Sequence, residues 1–174
     1  MKKYIAFLRA INVGGTKVIK MDHLKKMFES FGLSNVQTFI QSGNVIFETT
    51  AKSTTTLEDK LEKQLEKALG YRVEAFLRSM DEIAKIVNQD RFEPKAEDTL
   101  HIVFLREKPD KAKVETLKKY NSPADEFAVI GREVYNLRHD RDKSVFSNNF
   151  IEKIFGTATT RNITTLKKIF EKYQ

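Results

Sequence analysis

Short apolar runs rich in β-branched and aromatic residues occur at residues 4–11, 36–40, 45–47 and 73–77, and each predicts a strand. Between them the apolar positions change to helical spacing. Leu24, Met27, Phe28 and Phe31 form one stripe that stops at Gly32, predicting a helix over residues 21–31. Leu57, Leu61, Leu65, Ala68 and Leu69 form a second stripe, closed by Gly70, over residues 56–69. Ser42-Gly43 separates the second and third strands as a hairpin turn. The glutamates of the second helix, Glu58, Glu62 and Glu66, alternate with lysines and read as a solvated face.

The order then nearly repeats. A short helix over residues 80–88 leads through a polar joint at 91–98 to a strand at 100–105. A helix at 111–120 ends at Asn121-Ser-Pro123, and strands at 126–130 and 133–137 flank Gly131-Arg132. A helix at 148–155 stops at Gly156, and a last helix runs over 163–173, where repetition calls for a strand. The expectation is an α+β protein of two tandem ferredoxin-like (β-α-β-β-α-β) units with an extra C-terminal helix. The first unit with its linker helix is expected over residues 1–90, the second over 91–174. The first strand is apolar on both faces, with Tyr4, Ala6 and Leu8 on one and Ile5, Phe7 and Ile11 on the other. A sheet covered by helices on one side only shows a polar second face, so both faces of this sheet are expected to be covered.

That topology draws two polar turns together. The first strand runs into Arg9, Asn12, Gly14 and Gly15, and the hairpin carries Gln41, Ser42, Gly43 and Asn44. In a plait, the first strand ends on the sheet edge where the second and third strands turn, and the first and third strands are neighbours. The two stretches therefore share a rim. Glycine lets a backbone N–H approach a ligand closely, and an arginine beside exposed N–H groups suits an anion. Each feature also has a purely structural reading. The glycines make tight turns, the amides bond local backbone, and Arg9 pairs with a carboxylate.

Composition narrows the partners. Charged residues make up 32% of the 174 residues and hydrophobic ones 40%, as in an ordinary globular protein. No apolar run approaches a membrane span, no signal-peptide core is present, and the expected location is the cytoplasm. There is no cysteine, which excludes disulfides, a thiol nucleophile and zinc-thiolate sites. The net charge of +7 favours anionic partners. It is spread along the chain, as on an ordinary soluble surface. Gly14-Gly-Thr-Lys17 matches neither standard nucleotide loop. His23, His101 and His139 have no ligand spacing, so no metal is expected. The third strand lacks the aromatic pattern of an RNA-recognition plait. The loop from Arg138 to Ser144 reads as solvated. The stretch from Thr159 to Thr165 can cap the last helix. Arg161 there lies near a helix N-terminus, where the dipole disfavours a cation, and this calls for an anionic partner.

Three motifs carry a family resemblance: Phe7-Leu-Arg-Ala-Ile-Asn-Val-Gly-Gly15, Thr38-Phe-Ile-Gln-Ser-Gly-Asn-Val-Ile-Phe47, and Thr159-Thr-Arg-Asn162 with Thr165. Met21, Leu24, Gly32, Val134-Tyr135 and Ser144 add to it. Together they resemble the bacterial family named domain of unknown function 1697. The resemblance implies the tandem ferredoxin-like fold and no activity or cofactor. It adds Ser144, Arg161 and Asn162 to the candidate ligand set of Arg9, Asn12, Gly14, Gly15, Gln41, Ser42, Gly43 and Asn44. The chain departs from the family at Ile163, commonly tryptophan, and at Val145, commonly lysine. The leading expectation is a protein that binds a small anionic ligand, a nucleotide or phosphorylated metabolite, at the rim. The alternatives are a nucleic-acid-binding module using the basic surface, and a structural or interaction protein without a ligand.

Overall fold

The computed structural model describes residues 1–12, 15 and 18–174. The chain divides into two compact units, Met1–Ala84 with Tyr173–Gln174, and Lys85–Lys172.

In the first unit, β1 (Lys2–Leu8), α1 (Met21–Ser30), β2 (Ser34–Phe39), β3 (Asn44–Thr49), α2 (Thr54–Leu69) and β4 (Ala75–Ser79) follow one another. The strands form an antiparallel sheet in the order β2-β3-β1-β4, which is the ferredoxin-like plait. Tyr4 lies opposite Phe47 and Ser79, and Phe7 lies opposite Asn44 and Phe76. One face of the sheet, with Tyr4, Ala6, Leu8, Val45 and Phe47, packs against Leu24 and Phe28 of α1 and Leu57, Leu61 and Leu65 of α2. On the other face Ile5, Phe7, Ile46 and Phe76 are also buried. Both faces are thus covered, as the two-sided apolar strand requires. β1 stops at Leu8, short of Ile11, because Ala10 and Asn12 turn to left-handed φ of 56° and 58°.

α3 (Met80–Val87) contains the division between the units. The second unit runs β5 (Thr99–Phe104), α4 (Lys111–Lys118), β6 (Asp125–Ile130), β7 (Glu133–Arg138), α5 (Asn148–Phe155), β8 (Thr159–Asn162) and α6 (Ile163–Tyr173). Its sheet order, β6-β7-β5-β8, repeats the first. Val103, Leu117, Phe127, Val134 and Ile151 form its helix-side core.

β8 supplies the strand that the repeat calls for, placed just before the expected last helix rather than in its stead. The strand pairs antiparallel with β5, His101 opposite Asn162 and Phe104 opposite Thr159. It lacks an apolar pattern because its inward positions are Thr159 and Arg161, both buried. The capping expectation holds for Asn162, whose Oδ1 accepts the Thr164 N–H at 2.9 Å.

The solvated-face reading of α2 is also corrected. Glu58 is fully buried and Glu62 nearly so. β4 is an edge strand, and each N–H on its outer side needs an acceptor that no neighbouring strand provides. Glu58 accepts from the Leu77 N–H at 2.8 Å, and Glu62 from the Ala75 N–H at 2.9 Å. The second unit repeats the device more weakly, where Glu152 of α5 accepts the Ala158 N–H at 3.2 Å, just before β8.

Among the described residues no helix is long and apolar enough to cross a membrane, and no group of three or more His, Asp or Glu side chains could hold a metal ion.

Candidate functional site

The end of β1 meets the β2–β3 turn as the topology requires. The Leu8 N–H donates to the Gly43 carbonyl at 2.9 Å, and on the other side the Arg9 N–H donates to the Glu74 carbonyl at 2.9 Å. Asn12 ties the stretch together. Its Oδ1 accepts the Ile19 N–H at 2.7 Å, and its Nδ2 donates to the Ile19 carbonyl at 3.1 Å and the Gln41 carbonyl at 2.9 Å. Nδ2 also lies 3.3 Å from Gln41 Oε1. Asn44 is fully buried and closes the hairpin from inside, donating to the Phe39 carbonyl at 3.0 Å and to Ser42 Oγ at 2.8 Å. Gly43 has φ of 72°, and a Cβ there would lie 3.1 Å from the Leu8 Cβ. This glycine is therefore required by both backbone and space.

The rim thus brings Asn12, Gln41, Ser42, Gly43 and Asn44 together, with Arg9 on its β4 side. The Arg9 guanidinium is 3.7 Å from Glu74, which also lies 3.8 Å from Arg72, and its side chain remains 31% exposed. Gln41 and Gly15 are exposed. Gly14, with Val13, Thr16 and Lys17, lies outside the described residues.

The backbone here is unusual. Ala10, Asn12, Gly15, Ile40 and Gly43 all have φ between 50° and 72°. For a β-branched residue such as Ile40 this is a true outlier; Ala10 and Ile40 each cost about 1–2 kcal/mol, whereas asparagine tolerates the conformation. Ile40 is also 53% exposed, so core packing does not explain its conformation.

The remaining candidates lie in the second unit. Arg161 is buried, donating to Thr159 Oγ1 at 2.8 Å and the Thr160 carbonyl at 2.9 Å. Burial pushes its pKa down to about 10, so the guanidinium stays charged at neutral pH. Ser144 Oγ donates to Asp125 Oδ1 at 2.8 Å. Asp125 is a fully buried carboxylate that sequence reasoning passed over. It also accepts from Asn136 Nδ2 at 2.9 Å and the Val145 N–H at 2.8 Å. Asn136 Oδ1 in turn meets His101 Nδ1 at 3.1 Å, and the His101 ring stacks on Phe146 at 4.6 Å. Burial holds the His101 pKa below its ordinary value, so the imidazole is neutral at pH 7. Arg78, fully buried at the end of β4, was equally unmarked, because it closes an apolar run where a strand ordinarily exits to solvent.

His139 bridges two carboxylates, with Nε2 2.6 Å from Glu126 and Nδ1 2.9 Å from Asp98. The hydrogen bonds to Glu126 and then Asp98 raise its pKa above 6.5. The Lys95 N–H and then His139 lower that of Asp98 below 3.8. A raised histidine stabilises the fold fully below its unfolded pKa and ceases to do so as pH rises through the folded value. A lowered aspartate loses its share only as pH falls through its own folded value. The melting-temperature gap between the wild type and His139→Gln is therefore expected to be largest between about pH 4 and about pH 6.5 and to shrink above that. A gap that stays constant from about pH 5 to about pH 9 would contradict the bridge.

A family model described as Protein of unknown function (DUF1697) matches residues 1–135. The matched span includes the whole rim and ends before Ser144 and the Thr159–Thr165 stretch. No curated relative matches the chain. Among solved structures, the conserved bacterial protein SP0830 from Streptococcus pneumoniae is similar, with a TM-score of 0.73 and 22% identity over 98% of this chain and 97% of that one. At that identity the likeness concerns the fold alone.

Proposed function

The chain belongs to the family described as Protein of unknown function (DUF1697), and from that premise we propose that it binds a small anionic ligand, a nucleotide or phosphorylated metabolite, at the rim of the first sheet. The observation that carries this reading is the strained backbone. Ala10, next to Arg9, and Ile40, next to Gln41, hold left-handed conformations on exposed side chains that core packing does not demand. Strain of this kind concentrates at binding sites, where it aims backbone groups at a ligand. Arg9 supplies positive charge in exchange for its distant contact with Glu74. Gln41 and Gly15 contact the ligand from the open side. Asn12, Asn44, Ser42 and Gly43 hold the two loops in place. Ser144, Arg161 and Asn162 have partners within the second unit and take no part in this site.

A thermal-shift screen against nucleotides, sugar phosphates and short RNAs at two salt concentrations tests this. A hit is expected to bind about tenfold more weakly to Arg9→Ala, the loss of one charge-assisted contact. A hit with undiminished affinity for both Arg9→Ala and Gln41→Ala would remove the site. A short RNA whose binding falls steeply with salt would favour the nucleic-acid reading. The folding-only reading also has an observation behind it, since the Asn12 side chain is engaged by Ile19 and Gln41. It predicts that Asn12→Ala lowers the melting temperature while no compound ever raises that of the wild type.

A further inference from the structure

α2 presents three faces. Leu57, Leu61 and Leu65 face the sheet, and Glu58 and Glu62 face the edge of β4. The third row, Thr56, Lys60 and Gln64, repeats every four residues and so stacks along one side of the helix. This row borders a cavity of about 540 Å³ that lies wholly within the first unit and apart from the rim. Its size falls within the range of small-molecule sites.

The lining is divided by chemistry. Phe31, Leu33, Leu57 and Leu61 give an apolar floor, while Thr49, Ser53, Thr56, Lys52 and Lys60 line the polar side. Among the described residues neither lysine has an ion-pair partner. The first turn of α2 carries no acidic residue, so its positive end is not neutralised locally. The amide oxygen of Gln64 is buried with no hydrogen-bond partner. A buried polar oxygen left unpaired is costly, and a donor on a bound molecule would relieve it once the side-chain amide turned toward the cavity.

We propose that this cavity is a second binding site, for a small organic anion. A carboxylate or phosphate would lie between Lys52, Lys60 and the first turn of α2. Its apolar body would rest on Phe31 and Leu57, carrying a hydroxyl or N–H toward Gln64. The site does not depend on the rim reading and uses none of its residues.

The test uses the 174-residue protein, with 4-hydroxybenzoate and 4-hydroxyphenyl phosphate as probes and uncharged 4-hydroxybenzyl alcohol as the control. Backbone amide shifts are followed by NMR. Both anions are expected to move the signals of Ser53, Thr56 and Lys60 in a saturable way. They are expected to bind about tenfold more weakly to the Lys52→Gln/Lys60→Gln double variant, whose exposed substitutions leave the fold intact. A stronger response to one probe identifies the head group as carboxylate or phosphate. Equal affinity for the uncharged alcohol would overturn the proposal, as would undiminished binding to the double variant. Shifts confined to Arg9, Asn12 and Gln41 would also overturn it while supporting the rim site.

Discussion

Replacement of Asp125 by alanine is expected to destabilise the protein by about 3–5 kcal/mol, measured by urea unfolding. The magnitude follows from what the carboxylate holds. Asn136 Nδ2, Ser144 Oγ and the Val145 N–H all donate to it from within 2.9 Å; Asp125 and Asn136 are fully buried, while Ser144 and Val145 lie toward the surface. Removing the acceptor leaves the buried Asn136 donor stranded, at a cost of about 1–3 kcal/mol, and also forfeits two charge-assisted hydrogen bonds from the half-buried Ser144 and the exposed Val145. The loss also spreads. Asn136 leads to His101, and the loop released at Ser144 and Val145 carries Phe146, which stacks on His101, and Ser147, which caps α5 through the Phe150 N–H. Asp125→Asn keeps one oxygen and is expected to lose less, because only part of the donor set is stranded. A loss below about 1 kcal/mol for the alanine variant would mean that the network is not the hub of the second unit.

Gly43→Ala is expected to cost about 2–4 kcal/mol. Two separate effects add. The left-handed backbone disfavours any side chain by about 1–2 kcal/mol. The new methyl would also meet the Leu8 Cβ at 3.1 Å, the Leu8 carbonyl oxygen at 3.4 Å and the Ile11 Cβ at 3.5 Å. Leu8 is buried in the core and its N–H is bonded to the Gly43 carbonyl, so neither partner can give way cheaply. Gly70→Ala separates the two effects, since Gly70 has φ of 81° with no atom within 4 Å of an added Cβ. The Gly43 variant should melt clearly below the Gly70 variant, and equal melting temperatures would mean that the close approach of the two loops contributes nothing.

The plaits were legible in the sequence because their cores obey simple periods. Leu57, Leu61 and Leu65 announce α2, and the doubly apolar first strand announces a sheet buried on both faces. The meeting of Asn12 with Gln41 followed from strand order alone. The missed features share one cause, which is that polar residues carried out tasks usually given to apolar ones. Thr159 and Arg161 fill inward positions of β8, so no apolar rhythm marked the strand. Glu58 and Glu62 serve a sheet edge that lies 13 to 19 residues further along the chain, and helical spacing among lysines suggests water instead. The cation argument at Arg161 correctly demanded a partner. The partners of Arg161 include a threonine hydroxyl and a backbone carbonyl of its own strand, which only the strand geometry could reveal.

The carboxylates of α2 also bear on how molecules of this protein meet one another. On a pairing diagram β4 ends its sheet with an open flank, the kind of flank that invites a strand from another molecule. Chemically that flank is closed. An arriving strand would find the Leu77 and Ala75 amides already engaged, and would have to displace two acidic side chains to reach them. Growth of the sheet into a fibre from this side is thereby blocked, and the block is encoded in a helix rather than in the strand that it protects.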